Sequence, residues 1–270
     1  EEIRKLDPTD RDALSALERH RKRTGDLRGL VDVYRQQLDD LSDPAERATL
    51  WERIADLAEV ELGDVDLALE ALAERRKLPD PDPDIRSRMA SLCERDGRWD
   101  ELVRILQEVL EATPDAEGQG GVWLRLAAIH RDARRDPPAS VTAFVEALRL
   151  RPQDPEAVEG LTRFMRRGPS SVRPDAARAL LPELEATGTD AEQVEALQVL
   201  AETSSDRLER KDAFERAARS CEDRQRDDEA FDFLLRALRE DLADRDLRAR
   251  AETLAGRYDS WDALASVYQR

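Results

Sequence analysis

The sequence predicts an all-α solenoid of stacked antiparallel helix hairpins, and three observations point to it. Leu30, Ala68, Leu102 and Ser140 hold one slot of a repeated unit at spacings of 38, 34 and 38 residues, a length that accommodates one helix pair per repeat. Glycines and Asp-Pro pairs punctuate the chain in register with that spacing. The composition is 40% hydrophobic, 4% aromatic and 39% charged, against about 25% charged in ordinary globular proteins, which suits thin layers with much surface. A helix pair of this size cannot bury its apolar face alone, so neighbours must stack and leave a long exposed groove.

Taken in order, the stretch EEIRKLDP reads as the tail of a preceding second helix, so a piece of a longer protein is expected. ALERHRKRTGDLRGLVDVY supplies a first hairpin through Gly25, Leu27, Leu30 and Tyr34. LWERIADLAEVELGDVDLALEAL follows, with the large-plus-small pair Ile54 and Ala55, a Gly63-Asp64 turn, then Ala68 and Leu72. SLCERDGRWDELVRIL, with Trp99 and Leu102, is duplicated near the C-terminus as TLAGRYDSWDALASVY, with Trp261 and Leu264. WLRLAAIHRDARRDPPASVTAFVEALRLRP repeats the second pattern through Leu126, Ala127, Phe144, Ala147 and Pro152. KDAFERAARSCEDRQRDDEAFDFLLRALRE does so through Phe214, Ala217, Ala218, Cys221, Ala230, Leu234 and Ala237. Two flavours of unit therefore alternate, with a larger period of roughly 72 residues.

Local chemistry sets the boundaries. Gly25, Gly63 and Gly97 stand where a helix must end and reverse, a backbone conformation cheap only for glycine. Asp7-Pro8, Asp43-Pro44 and Asp154-Pro155 each supply an N-cap followed by a residue already fixed in helical φ. Ser140 to Ala230 spans 90 residues where regular alternation gives 72; one additional helix fits the excess, either the segment from Pro174 or that from Asp190. The expected organisation is regular repeats over 1–154 (two double units), an irregular stretch with an inserted helix and a kink over 155–205, and further repeats over 206–270.

The large-plus-small pairs, the Gly-Asp turn and the helix-ending Pro152 resemble a divergent tetratricopeptide repeat array over essentially the whole chain. That resemblance implies a right-handed superhelix whose concave groove is lined by the first helix of each pair. Carried over position by position, the groove slots are Arg19, Lys22 and Arg23, then Glu52, Asp56 and Glu59, then Arg163, Arg166 and Arg167, then Glu215, Arg219, Glu222 and Asp223. The expected concave face is patched with basic and acidic charge. The chain contains no Asn, so it cannot build the Lys-Asn-Asn-Lys-Arg clamp with which chaperone-binding relatives grip a C-terminal carboxylate. Forked guanidinium bonds to an acidic segment remain open to the Arg-containing patches.

Catalytic and metal constellations are absent from the pattern. His20 and His130 are the only histidines and lie units apart, Cys93 and Cys221 are separated by 128 residues, and the GQGG at Gly118 to Gly121 lacks the Lys and Ser/Thr of a phosphate loop. It reads as a flexible connection between repeats. The tryptophans Trp51, Trp99, Trp123 and Trp261 read as core spacers between helices. A net charge of −17 and pI near 4.7 argue against nucleic acid, no apolar run spans a bilayer, and abundant Arg with four Lys suggests a GC-rich bacterial genome. The expectation is a non-catalytic protein-interaction scaffold without cofactor or metal, cytoplasmic by its free thiols. It would hold a protein or peptide ligand in its groove as part of a larger protein or assembly, with no nucleic acid and no membrane insertion. A spacer or self-assembling array with an empty groove, or a regulatory segment of an enzyme outside the sequence, are the alternatives. Oligomeric state does not follow from these residues.

Overall fold

The computed structural model describes residues 11–79, 84–187 and 190–269. Among them every regular element is helical, which is the all-α repeat fold expected. The chain divides into two compact units, Glu1–Val109 and Leu110–Arg270. The first holds α1 (Arg11–Thr24), α2 (Leu27–Asp40), α3 (Pro44–Asp56), α4 (Val65–Arg76), α5 (Asp84–Asp96) and most of α6 (Trp99–Ala112). The second holds α7 (Ala116–Ala128), α8 (Pro137–Leu150), α9 (Pro155–Arg167), α10 (Arg173–Thr187), α11 (Asp190–Thr203), α12 (Arg207–Glu222), α13 (Asp227–Glu240), α14 (Arg245–Tyr258) and α15 (Trp261–Tyr268).

The repeated slot is enclosed in every hairpin that carries it. Leu30, Ala68, Leu102, Ser140 and Ala230 each stand fourth in a second helix, and none has exposed surface. Their facing residues are equally enclosed: Ile54 and Ala55 are wholly buried, and Leu126 and Ala127 nearly so. Ser140, polar in an apolar slot, donates its hydroxyl to the Ala127 carbonyl at 2.9 Å, which removes the penalty of burying it. In the second unit Phe144 is fully buried with its ring centroid 6.5 Å from that of Phe164. Phe214 and Phe233 pair likewise at 6.4 Å.

Two kinds of hairpin turn occur. In the short form the residue after a left-handed position donates five residues back: Asp26 to Arg21, Arg98 to Cys93, Arg226 to Cys221 and Ser260 to Ala255. In the long form α3 and α7 widen into π-helical turns, Leu57–Leu62 and Ile129–Ala133. Asp64 then donates six residues back to Ala58, and Asp136 to His130. Gly25, Gly63 and Gly97 adopt φ of 71°, 63° and 72°, as their positions require. Arg135, Gln225 and Asp259 take left-handed φ of 52°, 59° and 52° without being glycine.

Helix starts follow the acid-plus-proline signal. Asp43 accepts from Ala45 N, and Asp154 from Glu156 N and Ala157 N, each ahead of a proline. Asp7 and Pro8 lie outside the described residues. A second device was not visible in the sequence: the fourth residue of a helix reaches back to the carbonyls that end the preceding helix. Arg47 donates to Leu38 and Leu41, Gln119 to Thr113, Arg210 to Ser204 and Ser205, and Arg248 to Leu242. These carbonyls have no partner within their own helix.

Two expectations need correction. GQGG is no connection but part of α7, whose N-cap Asp115 accepts from Gly118 N. Gly120 is buried beneath Arg151, and a β-carbon there would lie 2.3 Å from that side chain. Trp261 is no core spacer: 49% of its surface is exposed, and it lies over Gly256 of α14. Trp51, Trp99 and Trp123 are half-buried. Between α8 and α12 lie the three helices α9, α10 and α11, and the short turn reappears between α12 and α13 and again between α14 and α15.

Candidate functional site

The charged residues assigned to the groove have different fates. On α1, Arg19, Lys22 and Arg23 are exposed. Glu52 of α3 accepts from Arg75 Nε of α4 at 2.8 Å, an arginine with 7% of its surface exposed. Asp56 and Glu59 both receive Arg88 of α5 at 2.8 Å, and Glu59 also receives Arg95 at 2.5 Å. Burial raises the Glu59 carboxyl's affinity for a proton, but the bonds from Arg88 and Arg95 outweigh it and leave its pKa below the ordinary value. In the second unit Arg166 of α9 forks onto Glu195 of α11 at 2.9 and 2.7 Å. Arg219 is held by Glu215 on its own helix, and Arg250 of α14 reaches Glu222 at 2.8 Å and Glu215 at 3.6 Å. Asp223 is exposed.

These bonds belong to a ladder that the repeat itself generates. Arg53 to Glu18, Arg35 to Glu70, Arg98 to Asp66, Arg178 to Glu209, Arg236 to Glu202 and Arg257 to Asp227 join residues 30–35 apart, about one repeat. The first five tie elements two helices apart in sequence, Arg98 standing just ahead of α6, and the last joins the adjacent helices α13 and α14. Surface pairs of this kind contribute about 0.2–1 kcal/mol each. The Glu209 carboxyl is held below its usual range, chiefly by the Arg178 guanidinium, and Glu240 is held there chiefly by Arg210. Much of the predicted charge patterning therefore serves neighbouring repeats.

Arg163 and Arg167 stand outside the ladder. Both are exposed on α9 and neither carries an ion pair among the described residues. Asp132, whose carboxyl feels the Arg163 charge, already has both oxygens on Arg131 at 2.8 and 2.7 Å. Lys22 and Arg23 are also without a partner among the described residues.

Two clefts that sequence reasoning did not find lie between second helices. One, of about 370 Å³, runs between α8 and α10 on Val141, Val145, Val172 and Ala179, with Glu146, Asp175 and Arg178 at its rim. The other, of about 320 Å³, lies between α2 and α4 and is mixed, with Val31 and Leu67 beside Arg28, Asp32, Arg35 and Glu70. Each belongs to a single unit. Helix packing left these spaces, and no local motif encodes them.

Reactive groups are muted. Cys93 and Cys221 are buried free thiols, and burial pushes both pKa values up. Burial likewise lowers the His130 pKa and favours the neutral imidazole. Among the described residues no His, Cys, Asp and Glu group is arranged to hold a metal ion, and no helix is long and apolar enough to cross a membrane.

The tetratricopeptide repeat family model matches residues 13–48 and 86–119. These segments contain the short turns at Gly25 and Gly97. No curated protein shows significant sequence similarity to the chain. Among solved structures, the chain is similar to the TPR2AB domain of yeast Sti1 in complex with an HSP90 peptide, at 12% identity and TM-score 0.34, covering 83% of this chain and 88% of that one. A thermophilic tetratricopeptide protein of Thermus thermophilus aligns at 15% identity and TM-score 0.25, covering 78% of this chain and 98% of its own. The C-terminal part of a repeat protein from Cytophaga hutchinsonii aligns at 13% identity and TM-score 0.24, with coverages of 87% and 98%.

Proposed function

We propose that this chain, a repeat protein of the tetratricopeptide superfamily, is a non-catalytic interaction scaffold that takes an extended peptide or a partner helix on the exposed face of its first helices. The family match supports a protein-interaction role in general, and the observation that carries the finer reading is the uneven use of charge on those helices. Glu52, Asp56, Glu59, Arg166 and Arg219 are engaged by their own repeats, whereas Lys22, Arg23, Arg163 and Arg167 keep exposed cationic ends. Among the described residues, none of these four ends is held by an ion pair that a ligand would first have to break.

A display library of random peptides panned against the chain tests the reading. Bound sequences should lose affinity when Lys22, Arg23, Arg163 and Arg167 are reversed to Glu. They should keep it when Thr142, in the cleft between α8 and α10, is changed to Arg. That cleft is the specific ground for a second reading, in which an apolar side chain of the partner enters between second helices; the opposite pattern of losses would favour it.

A further inference from the structure

The apolar cleft between α8 and α10 carries the inference furthest, because the chain contains its own control. Other second helices are tied across to their neighbours by charge: Arg35 of α2 meets Glu70 of α4 at 2.8 Å, and Arg76 of α4 meets Glu108 of α6. Relative to the repeated slot, Arg28, Asp32 and Arg35 stand two before, two after and five after Leu30. The same places around Ser140 hold Pro138, Thr142 and Val145, so α8 lacks both of those arginines. Its one acid, Glu146, is bound by Arg149 of its own helix, and across the gap Arg178 is spent on Asp175 and on Glu209 of α12. A space of about 370 Å³ stays open above the nearly buried Val141 and Val172. Its rim still offers hydrogen-bond acceptors. Both bonds from Arg149 fall on Glu146 Oε2, at 3.0 and 2.9 Å, and the bond from Arg178 falls on Asp175 Oδ1 at 2.5 Å. Glu146 Oε1 and Asp175 Oδ2 are left without a hydrogen-bond partner among the described residues.

We propose that this cleft is a docking site for a basic amphipathic segment of a partner protein. One bulky apolar side chain of that segment, Leu, Phe or Trp, enters between Val145 and Ala179, while flanking Lys or Arg side chains donate to Glu146 Oε1 and Asp175 Oδ2. The site is additional to the groove and rests only on the broader reading of the chain as an interaction scaffold. The apolar floor supplies affinity, which grows with the apolar area removed from water, and the open carboxylate oxygens select the sign of the partner's charge. A net charge of −17 draws a basic partner towards the chain and repels a second copy of it, which assigns the cleft to a partner protein rather than to self-association.

Fluorescence anisotropy with the whole chain and three labelled peptides of equal length tests it: Lys residues around a central Phe, the same peptide with Ser for Phe, and the same with Glu for every Lys. The first should bind about tenfold more tightly than either control. Ala179→Leu, which fills the cleft without changing charge, should weaken that binding by about tenfold. Glu146→Gln should weaken it by about threefold and make it less sensitive to salt. Arg239→Gln, an exposed change on α13, should leave it unaltered. Circular dichroism checks that Ala179→Leu remains folded, and should it unfold, Thr142→Leu, at an exposed position of the rim, takes its place with the same expected loss. Equal binding of the Phe and Ser peptides would overturn the proposal, as would tighter binding of the Glu peptide. Self-association of the chain in sedimentation that Ala179→Leu abolishes would give the cleft to a second copy and overturn it too. The two sites fail separately: a Phe peptide indifferent to the cleft-filling variant removes the cleft, whereas the groove reading rests on the panned peptides and the reversal of Lys22, Arg23, Arg163 and Arg167.

Discussion

A β-carbon added at Gly160 of α9 would lie 2.5 Å from the ring of Phe144, a side chain with no exposed surface. The ring cannot yield, so Gly160→Ala should destabilise the protein by about 1–3 kcal/mol in urea denaturation. Gly120→Ala meets only the arm of Arg151, which can swing aside, and the better helix propensity of alanine offsets the cost by about 1 kcal/mol. It should stay close to the wild type, and a loss as large as that of Gly160→Ala would contradict this packing. Gly63 has open space around it, so the cost of Gly63→Ala, about 1–2 kcal/mol, comes from its positive φ alone. These two kinds of glycine differ in legibility. Gly63 stands beside Asp64 at a visible turn, whereas Gly160 is dictated by an aromatic sixteen positions earlier in the chain that only packing brings near.

At the scale of elements, helix boundaries were readable because their causes are local. Asp43-Pro44 and Asp154-Pro155 carry their own instruction within two residues. The ion-pair ladder was not readable, since the partner of Glu209 is Arg178 and that of Glu240 is Arg210, each about a repeat away. Sequence alone assigned Glu52, Asp56 and Glu59 to a ligand-facing patch, and could not see Arg75, Arg88 and Arg95 arriving to meet them. The GQGG run misled for a related reason: it lies inside α7, where Gly118 meets the capping Asp115 and Gly120 lies under Arg151. The ladder has a pH signature. Glu209 and Glu240 have folded pKa values below the ordinary 4.5, so their stabilisation is complete above that value and fades as pH falls through the folded pKa. The urea midpoint should therefore drop on acidification below about pH 4.5, and Glu209→Gln should reduce the size of that drop. A Glu209/Arg178 double-mutant cycle should return a coupling of about 0.2–1 kcal/mol that shrinks in high salt. No coupling at low salt would remove the ladder as a source of stability.

For the molecule as a whole, each compact unit is a run of helices whose cover comes from their neighbours. Leu30, Ala68, Leu102, Ser140 and Ala230 are fully enclosed, and first helices pack against second ones in the α1–α2, α3–α4, α7–α8 and α12–α13 hairpins. Periodicity made this architecture legible from the sequence, because a slot recurring every 34 or 38 residues is a statement about stacking. The function was far less legible, since a scaffold needs an accessible face more than any particular motif. The most direct test of the account compares two pieces by circular dichroism and urea titration: the second unit, residues 110–270, and the single α7–α8 hairpin, residues 115–152. The account predicts a helical second unit that unfolds cooperatively and a hairpin with little helix of its own. A hairpin that is fully helical and melts cooperatively in isolation would contradict it.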